Sequence, residues 1–253
     1  MNNQNLIKIE EIEHVGIVSF IQLLNNNRDI SNLVSKFQDD LNELEFRSNI
    51  RVIIFTGFEN IFSYPDPLVT LDSSIDISNL RMSESIASIK LPSLALLNGN
   101  IFDHALELAL ATDIRISSNI SQFRMGQLLS GNIPWDGGTQ RLPKIVGKGR
   151  ALEMTLTCRE INAEEALSTG LVSRIMTDSK LYDESINLAK RIALSSPIAV
   201  KFLKESIMSG LELHIKDGLK LEADLNFLLQ NSFDRAEGLR SFLSSEKPEF
   251  RGE

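Results

Sequence analysis

Residues 92 to 142 constrain the fold more than any other part of the chain. They open with Pro92-Ser-Leu-Ala-Leu-Leu-Asn98-Gly99, a short apolar run closed by a turn dipeptide, which predicts a buried strand entering a tight turn. In Asp103-His104-Ala105-Leu106-Glu107-Leu-Ala-Leu, the side chains of Leu106, Leu108, Ala109 and Leu110 surround one carboxylate. That segment reads as a short, mostly apolar helix whose one charge is Glu107. Gly131-Asn-Ile-Pro134-Trp135-Asp136-Gly137-Gly138-Thr139-Gln140-Arg141-Leu142 is then a Gly/Pro-rich loop that restarts a helix. Strand, turn and helix start in this order make a cradle for an oxyanion, because the first N–H groups of a helix have no partner inside it. A carboxylate one turn further in is placed to move protons.

The rest of the chain supplies strands first and helices last. Leu6 to Ile12 and Val15 to Ile21 alternate well enough for a hairpin. Asn25-Asn26-Asn27 is a polar loop, and Ile30, Leu33, Val34, Phe37, Leu41 and Leu44 follow helical spacing. Arg51 to Gly57 reads as a strand, and Phe62-Ser-Tyr64-Pro65-Asp66-Pro67-Leu68 as a loop stiffened by its prolines. Leu80 to Lys90 reads as helix, Asp113 to Ser117 and Gln122 to Met125 as strands, and Lys148 to Thr157 as helix. Ala163 to Thr169 is a helix capped by Asn162 and stopped at Gly170, and Leu171 to Met176 is the last strand. Beyond Ser195-Ser196-Pro197 only amphipathic helices are predicted, so the layout is α/β with a helical appendage, divided as 1–195 and 196–253.

The two spaced motifs around Glu107 and Gly131–Leu142 resemble the enoyl-CoA hydratase/isomerase (crotonase) family, whose members read N-G-x-x-x-G-G-G-x-E-L-A and then G-x-I-P-x-x-G-G-T-Q-R-L. Asp234-Arg-Ala-Glu-Gly238 and Lys247-Pro-Glu-Phe250 add weaker likeness near the C-terminus. The resemblance implies a ClpP/crotonase-type spiral of strand-strand-helix units with a C-terminal helical trimerisation region. It implies an acyl-CoA substrate, and hydration, dehydration or double-bond isomerisation through a thioester enolate. Coenzyme A enters as part of the substrate, with no other cofactor and no metal.

Carried over residue by residue, the resemblance makes Glu107 the first catalytic carboxylate and puts Gln127 where the second belongs. An amide orients water but does not exchange protons at neutral pH. The backbone N–H groups of Asp66 and His104 fall on the oxyanion-hole donors, with side chains where the family has Ala-Gly-Ala and Gly-Gly-Gly. Trp135, Asp136 and Tyr64 fall on the substrate pocket; Asp136 also reads as an N-cap for the helix starting at Gly137. Lys247 and Phe250 match the tail that approaches the CoA nucleotide, and equally an ordinary frayed terminus. His14 and His214 receive no role. Because the site departs from the family at Gln127 and in both donor loops, two rivals stand beside the enzyme. One is a catalytically silent binding or assembly protein, and the other an enzyme for carrier-protein thioesters.

Composition narrows the partners. A formal charge of −8 argues against nucleic acid. One cysteine, Cys158, excludes an internal disulfide framework, and no run reaches membrane-span length. With neither a signal nor a transit composition at the N-terminus, the expected location is the cytoplasm. The apolar excess on the helices after Pro197 predicts burial between subunits, as a homotrimer or a dimer of trimers.

Overall fold

The computed structural model describes residues 7–20, 30–57, 62 and 77–253. The element order is β1 (Ile7–Ile12), β2 (Val15–Phe20), α1 (Ile30–Phe46), β3 (Val52–Gly57), α2 (Ser83–Ser88), β4 (Ser93–Leu97), β5 (Asn100–Phe102) and α3 (His104–Leu110). Next come β6 (Ile114–Ser118), β7 (Gln122–Arg124), α4 (Gly138–Val146), α5 (Lys148–Thr157), β8 (Ile161–Asn162), α6 (Ala163–Ser168) and β9 (Arg174–Met176). Four helices end the chain: α7 (Asp178–Ala193), α8 (Pro197–Gly210), α9 (Ile215–Leu229) and α10 (Phe233–Ser244). A six-stranded sheet runs β1-β2-β3-β4-β6-β9, and a three-stranded sheet runs β5-β7-β8.

The β1–β2 hairpin is antiparallel, while β2, β3, β4, β6 and β9 are parallel neighbours. Parallel strands covered on both faces need apolar residues at every position, and β3 (Val-Ile-Ile-Phe) meets that demand. Its Ile53 and Phe55 point into the main core with Val18, Phe20, Ala95 and Leu97. Val52 and Ile54 point the other way, with Val15, Ile17, Leu94 and Leu96, against Leu181, Ile186, Ala189 and Ala193 of α7. In the main core Phe20 lies within 6.1 Å, ring centre to ring centre, of Phe37, Phe55 and Phe62.

The hairpin, α1, β3, β4 and α5 fall where periodicity puts them. Asn162 caps α6 by accepting from the Glu165 N–H at 2.9 Å, and Gly170 follows with φ 76°. Two expectations change. The predicted helix from Leu80 to Lys90 is a 3₁₀ turn at Ile77–Leu80 followed by the six-residue α2. The last strand shrinks to Arg174–Met176. The sequence reading assigns nothing to the segment that forms α7, nor to β5 and β8. Tyr64, Pro65, Asp66, Pro67 and the Asn25–Asn27 loop lie outside the described residues.

Two C-terminal motifs meet each other. Asp234 is buried at the start of α10, and its carboxylate accepts from the N–H groups of Arg251 (2.7 Å) and Gly252 (3.1 Å) and from Ser196 Oγ (2.8 Å). Glu237, one turn on, accepts from the Glu249 N–H at 2.8 Å, and Arg240 holds its carboxyl down to about 2. Arg51 then ties the tail to the strand core by donating to the Phe250 carbonyl at 2.8 Å. Asp234→Ala leaves those amides without their acceptor and is expected to cost about 2–3 kcal/mol in urea unfolding. A loss below about 0.5 kcal/mol would show the tail to be passively placed. By contrast α8 has no buried residue, and Leu203, Ile207, Leu211, Ile215, Leu219 and Phe227 are exposed on α8, α9 and the turn between them.

Candidate active site

β5 pairs in parallel with β7, which sets Phe102 opposite Arg124 and brings the start of α3 beside the turn carrying Gln127. The hinge residue is Asp103, at φ 55° and ψ −117°, a backbone shape that glycine adopts more cheaply. Its own side chain offsets that cost. Asp103 Oδ1 accepts from the Gly126 N–H at 2.6 Å, and Oδ2 pairs with Arg124 at 3.4 Å. The carboxylate thus couples the helix that carries His104 and Glu107 to the turn that carries Gln127.

His104 and Glu107 stand three residues apart on α3, hence on one face. That face meets the loop from Trp135 to Gly138. Glu107 is 0% exposed. Its Oε1 accepts from the N–H groups of Asp136 (2.9 Å) and Gly138 (2.8 Å), and its Oε2 from Gln127 Nε2 (3.1 Å). Gly138 permits the approach: a Cβ there would sit 2.9 Å from Glu107 Oε1 and 3.0 Å from Met125 Cε. Burial pushes the Glu107 carboxyl up to about 7, against the positive charge of His104 and the two backbone N–H groups, while the Asp136 charge reinforces the rise. An acid poised there passes a proton either way at neutral pH.

A second buried carboxylate lies beside it. Asp136 Oδ2 receives His104 Nε2 at 2.9 Å and the N–H groups of Met82 (3.1 Å) and Ser83 (3.0 Å), and Ser83 Oγ donates to Oδ1 at 2.8 Å. The N-cap reading of Asp136 is therefore corrected: α4 is capped at Gly137 (φ 98°) without a side-chain bond, and Asp136 instead caps the start of α2. Arg141 completes the group by donating to Ser83 Oγ at 2.7 Å and to the Asp136 carbonyl at 3.2 Å. Trp135 stacks on the His104 ring with centroids 4.7 Å apart and planes 23° apart. So many donors on Asp136 suit it to hold the loop and the imidazole, while Glu107 is the group whose environment favours proton exchange.

Of the residues singled out from sequence, Glu107, Gln127, His104, Trp135 and Asp136 come together. Tyr64 and Asp66 fall outside the described residues. Lys247 is exposed, and Phe250 lies against Gly238 in the tail anchored by α10. Sequence reasoning missed Ser83 and Arg141 as parts of the cluster. Arg141 sits in the Gly-Gly-Thr-Gln-Arg motif and was findable there; nothing around Ser83 points to Asp136. Among the described residues no group of His, Cys, Asp and Glu suits a metal ion, and no helix is long and apolar enough to cross a membrane.

Parallel strands with a small second sheet, and a carboxyl buried on a short helix against a Gly-Gly loop, define an α/β protein of the crotonase class. The chain belongs to the enoyl-CoA hydratase/isomerase family, whose family model matches residues 10–253. It is 32% identical over 243 residues to the mitochondrial enoyl-CoA hydratase of Pongo abelii, covering 92% of this chain and 83% of the relative. Its structure resembles the enoyl-CoA hydratase of Bacillus anthracis with a TM-score of 0.85 and 29% identity, over 98% of this chain and 100% of that one. An enoyl-CoA hydratase structure from Geobacillus kaustophilus gives a TM-score of 0.88 at 26% identity, over 100% and 98%.

Proposed function

We propose that this chain binds an acyl thioester and forms its enolate, with Glu107 as the acid/base that moves the α-proton. The observation that carries the reading is the Glu107 carboxyl, fully buried, pushed up to about 7 and held by two backbone N–H groups. Gln127, donating to Glu107 Oε2 at 3.1 Å, orients the carboxyl and supplies no proton. By family likeness the N–H groups of Asp66 and His104 take the thioester oxygen, and Lys247 and Phe250 approach the CoA nucleotide. With one carboxyl exchanging protons, α-proton transfer or a double-bond shift suits the site better than fast hydration. The exposed apolar side chains of α8 and α9 suit a trimer or a dimer of trimers.

The test is exchange of the α-protons of butyryl-CoA with deuterated water, followed by mass spectrometry. Exchange above the solvent background is the expected result. A second reading, a binding protein without turnover, draws on the same burial, because the donors on both Glu107 oxygens are protein groups. It is distinguished by a rise in melting temperature with butyryl-CoA in the absence of any exchange. No exchange and no rise would remove both readings.

A further inference from the structure

Glu107 Oε1 already takes two backbone N–H groups, from Asp136 at 2.9 Å and Gly138 at 2.8 Å, whereas Oε2 takes one donor, Gln127 Nε2 at 3.1 Å. A carboxylate oxygen offers about two acceptor positions, so Oε2 is the oxygen with room for a travelling proton. The Gln127 amide sets its direction. Gln127 is buried, and a single 3₁₀ turn, Gln127–Ser130, carries it. Whatever fixes that turn against α3 therefore fixes the oxygen that exchanges.

Asp103 does so with both its backbone and its side chain. Its N–H donates to the Arg124 carbonyl at 2.8 Å, its Oδ1 accepts from the Gly126 N–H at 2.6 Å, and its Oδ2 faces Arg124 Nη2 at 3.4 Å. Arg124 is itself held, paired with Glu160 at 3.1 Å and lying over the Phe102 ring at 4.1 Å. The contacts close a ring, from Asp103 along α3 to Glu107, across to Gln127, and back through Gly126 to the Asp103 carboxylate. Gly126 leaves room for this latch. A Cβ there would stand 2.8 Å from Arg124 Nε and 3.1 Å from Asp103 Oδ1, although its φ of −113° suits any residue. Asp103 meanwhile keeps φ 55°, a backbone shape cheaper for the glycine that the family motif has here. A side chain retained at such a position marks a role for that side chain.

We propose that Asp103 is a positioning residue for α-proton transfer, holding the Gln127 turn against α3 so that the Gln127 amide fixes the aim of Glu107 Oε2. This rests on the enolate reading above and adds to it a residue that touches neither the substrate nor Glu107. Its loss is felt in turnover, because the bonds to Glu107 Oε1 and the donors of the binding loop stay in place.

The test follows exchange of the butyryl-CoA α-protons with deuterated water over a range of substrate concentrations, which separates kcat from KM. Asp103→Gly is expected to lower kcat about tenfold or more while KM stays within about threefold. Asp103→Asn, whose amide oxygen still accepts the Gly126 N–H, is expected to recover most of that loss. In a Gln127→Ala background Asp103→Gly is expected to cost less than about threefold, because residues acting through one contact are not additive. Gly126→Ala, which crowds the latch from its other side, is expected to repeat the kcat loss. Wild-type kcat in a folded Asp103→Gly overturns the proposal, as does an equal loss with and without Gln127, a loss carried by KM alone, or an Asp103→Asn as slow as Asp103→Gly. If Asp103→Gly does not fold, Gly126→Ala decides, and wild-type kcat in that variant overturns the proposal. Wild type without any exchange removes the enolate reading itself, and the positioning role falls with it.

Discussion

Glu107→Gln is expected to lower α-proton exchange about 10²–10⁴-fold and, at the same time, to make the protein more stable at alkaline pH. Both effects come from one carboxyl. In the folded chain its pKa is raised from 4.5 to about 7, so between those values the folded state holds a proton that the unfolded state has lost. Stability from this group is complete below pH 4.5 and is lost as pH rises through about 7. A shift of this size corresponds to about 3 kcal/mol. The glutamine variant does not titrate. Its amide oxygen accepts the Asp136 and Gly138 N–H groups, and its amide nitrogen donates to Gln127 Oε1, a buried atom with no partner among the described residues, once that amide turns over. Urea unfolding at about pH 5 and about pH 8 should therefore show a difference between the two proteins that changes by about 2–3 kcal/mol in favour of the variant. A pH-independent difference would mean that Glu107 is ionised at no cost. Unchanged exchange would take the acid/base role away from it.

What was legible in the sequence divides by the range of the force involved. The strands β2, β3 and β4 were readable because a parallel strand buried on both faces leaves an uninterrupted apolar run. The helix α6 was readable because Asn162 and Gly170 end it locally. The helix α7 was not, since much of the face it buries is Ser185, Ala189 and Ala193, whose contrast with the outer face is weak. β5 and β8 are three and two residues long and owe their existence to β7 lying between them. The late start of the helix predicted over Leu80–Lys90 has the same origin: α2 begins at Ser83, where a carboxylate from residue 136 caps its amides.

The site followed the same rule. The meeting of Glu107 with Gln127 was readable from the paired motifs, and the structure adds the 3.1 Å bond between them. A spacing of i, i+3 on an α-helix puts His104 on the face of Glu107, but nothing local says that its partner is 32 residues away at Asp136. Counting carboxylates from sequence as one was incomplete for charge. Asp136 is a second buried carboxylate whose work is to hold loop, imidazole and α2 in one arrangement.

Gln127→Glu is expected to raise hydration of crotonyl-CoA by about 10²-fold or more, while making the protein less stable as pH rises. The substitution places a carboxyl oxygen where Gln127 Nε2 now stands, 3.1 Å from Glu107 Oε2. Two carboxyls at that distance and depth do not both ionise near neutrality; they share a proton, and the pair titrates as a unit. The shared proton supplies what one carboxyl lacks, an acid and a base present together for the two carbons across which water adds. Forcing both into the charged form at high pH costs several kcal/mol, of the order seen when a buried charge loses its partner. Loss of enoyl-thioester ultraviolet absorbance reads the first effect, and urea unfolding across pH the second. Faster hydration with stability falling above neutral pH identifies the missing second acid as the limit on the wild-type chain. If stability falls as expected and butyryl-CoA still binds while hydration stays slow, the missing acid is not the limit. Gln127→Glu combined with His104→Gly then separates a misaimed oxyanion donor, which the double variant would rescue, from a loop geometry that neither residue controls.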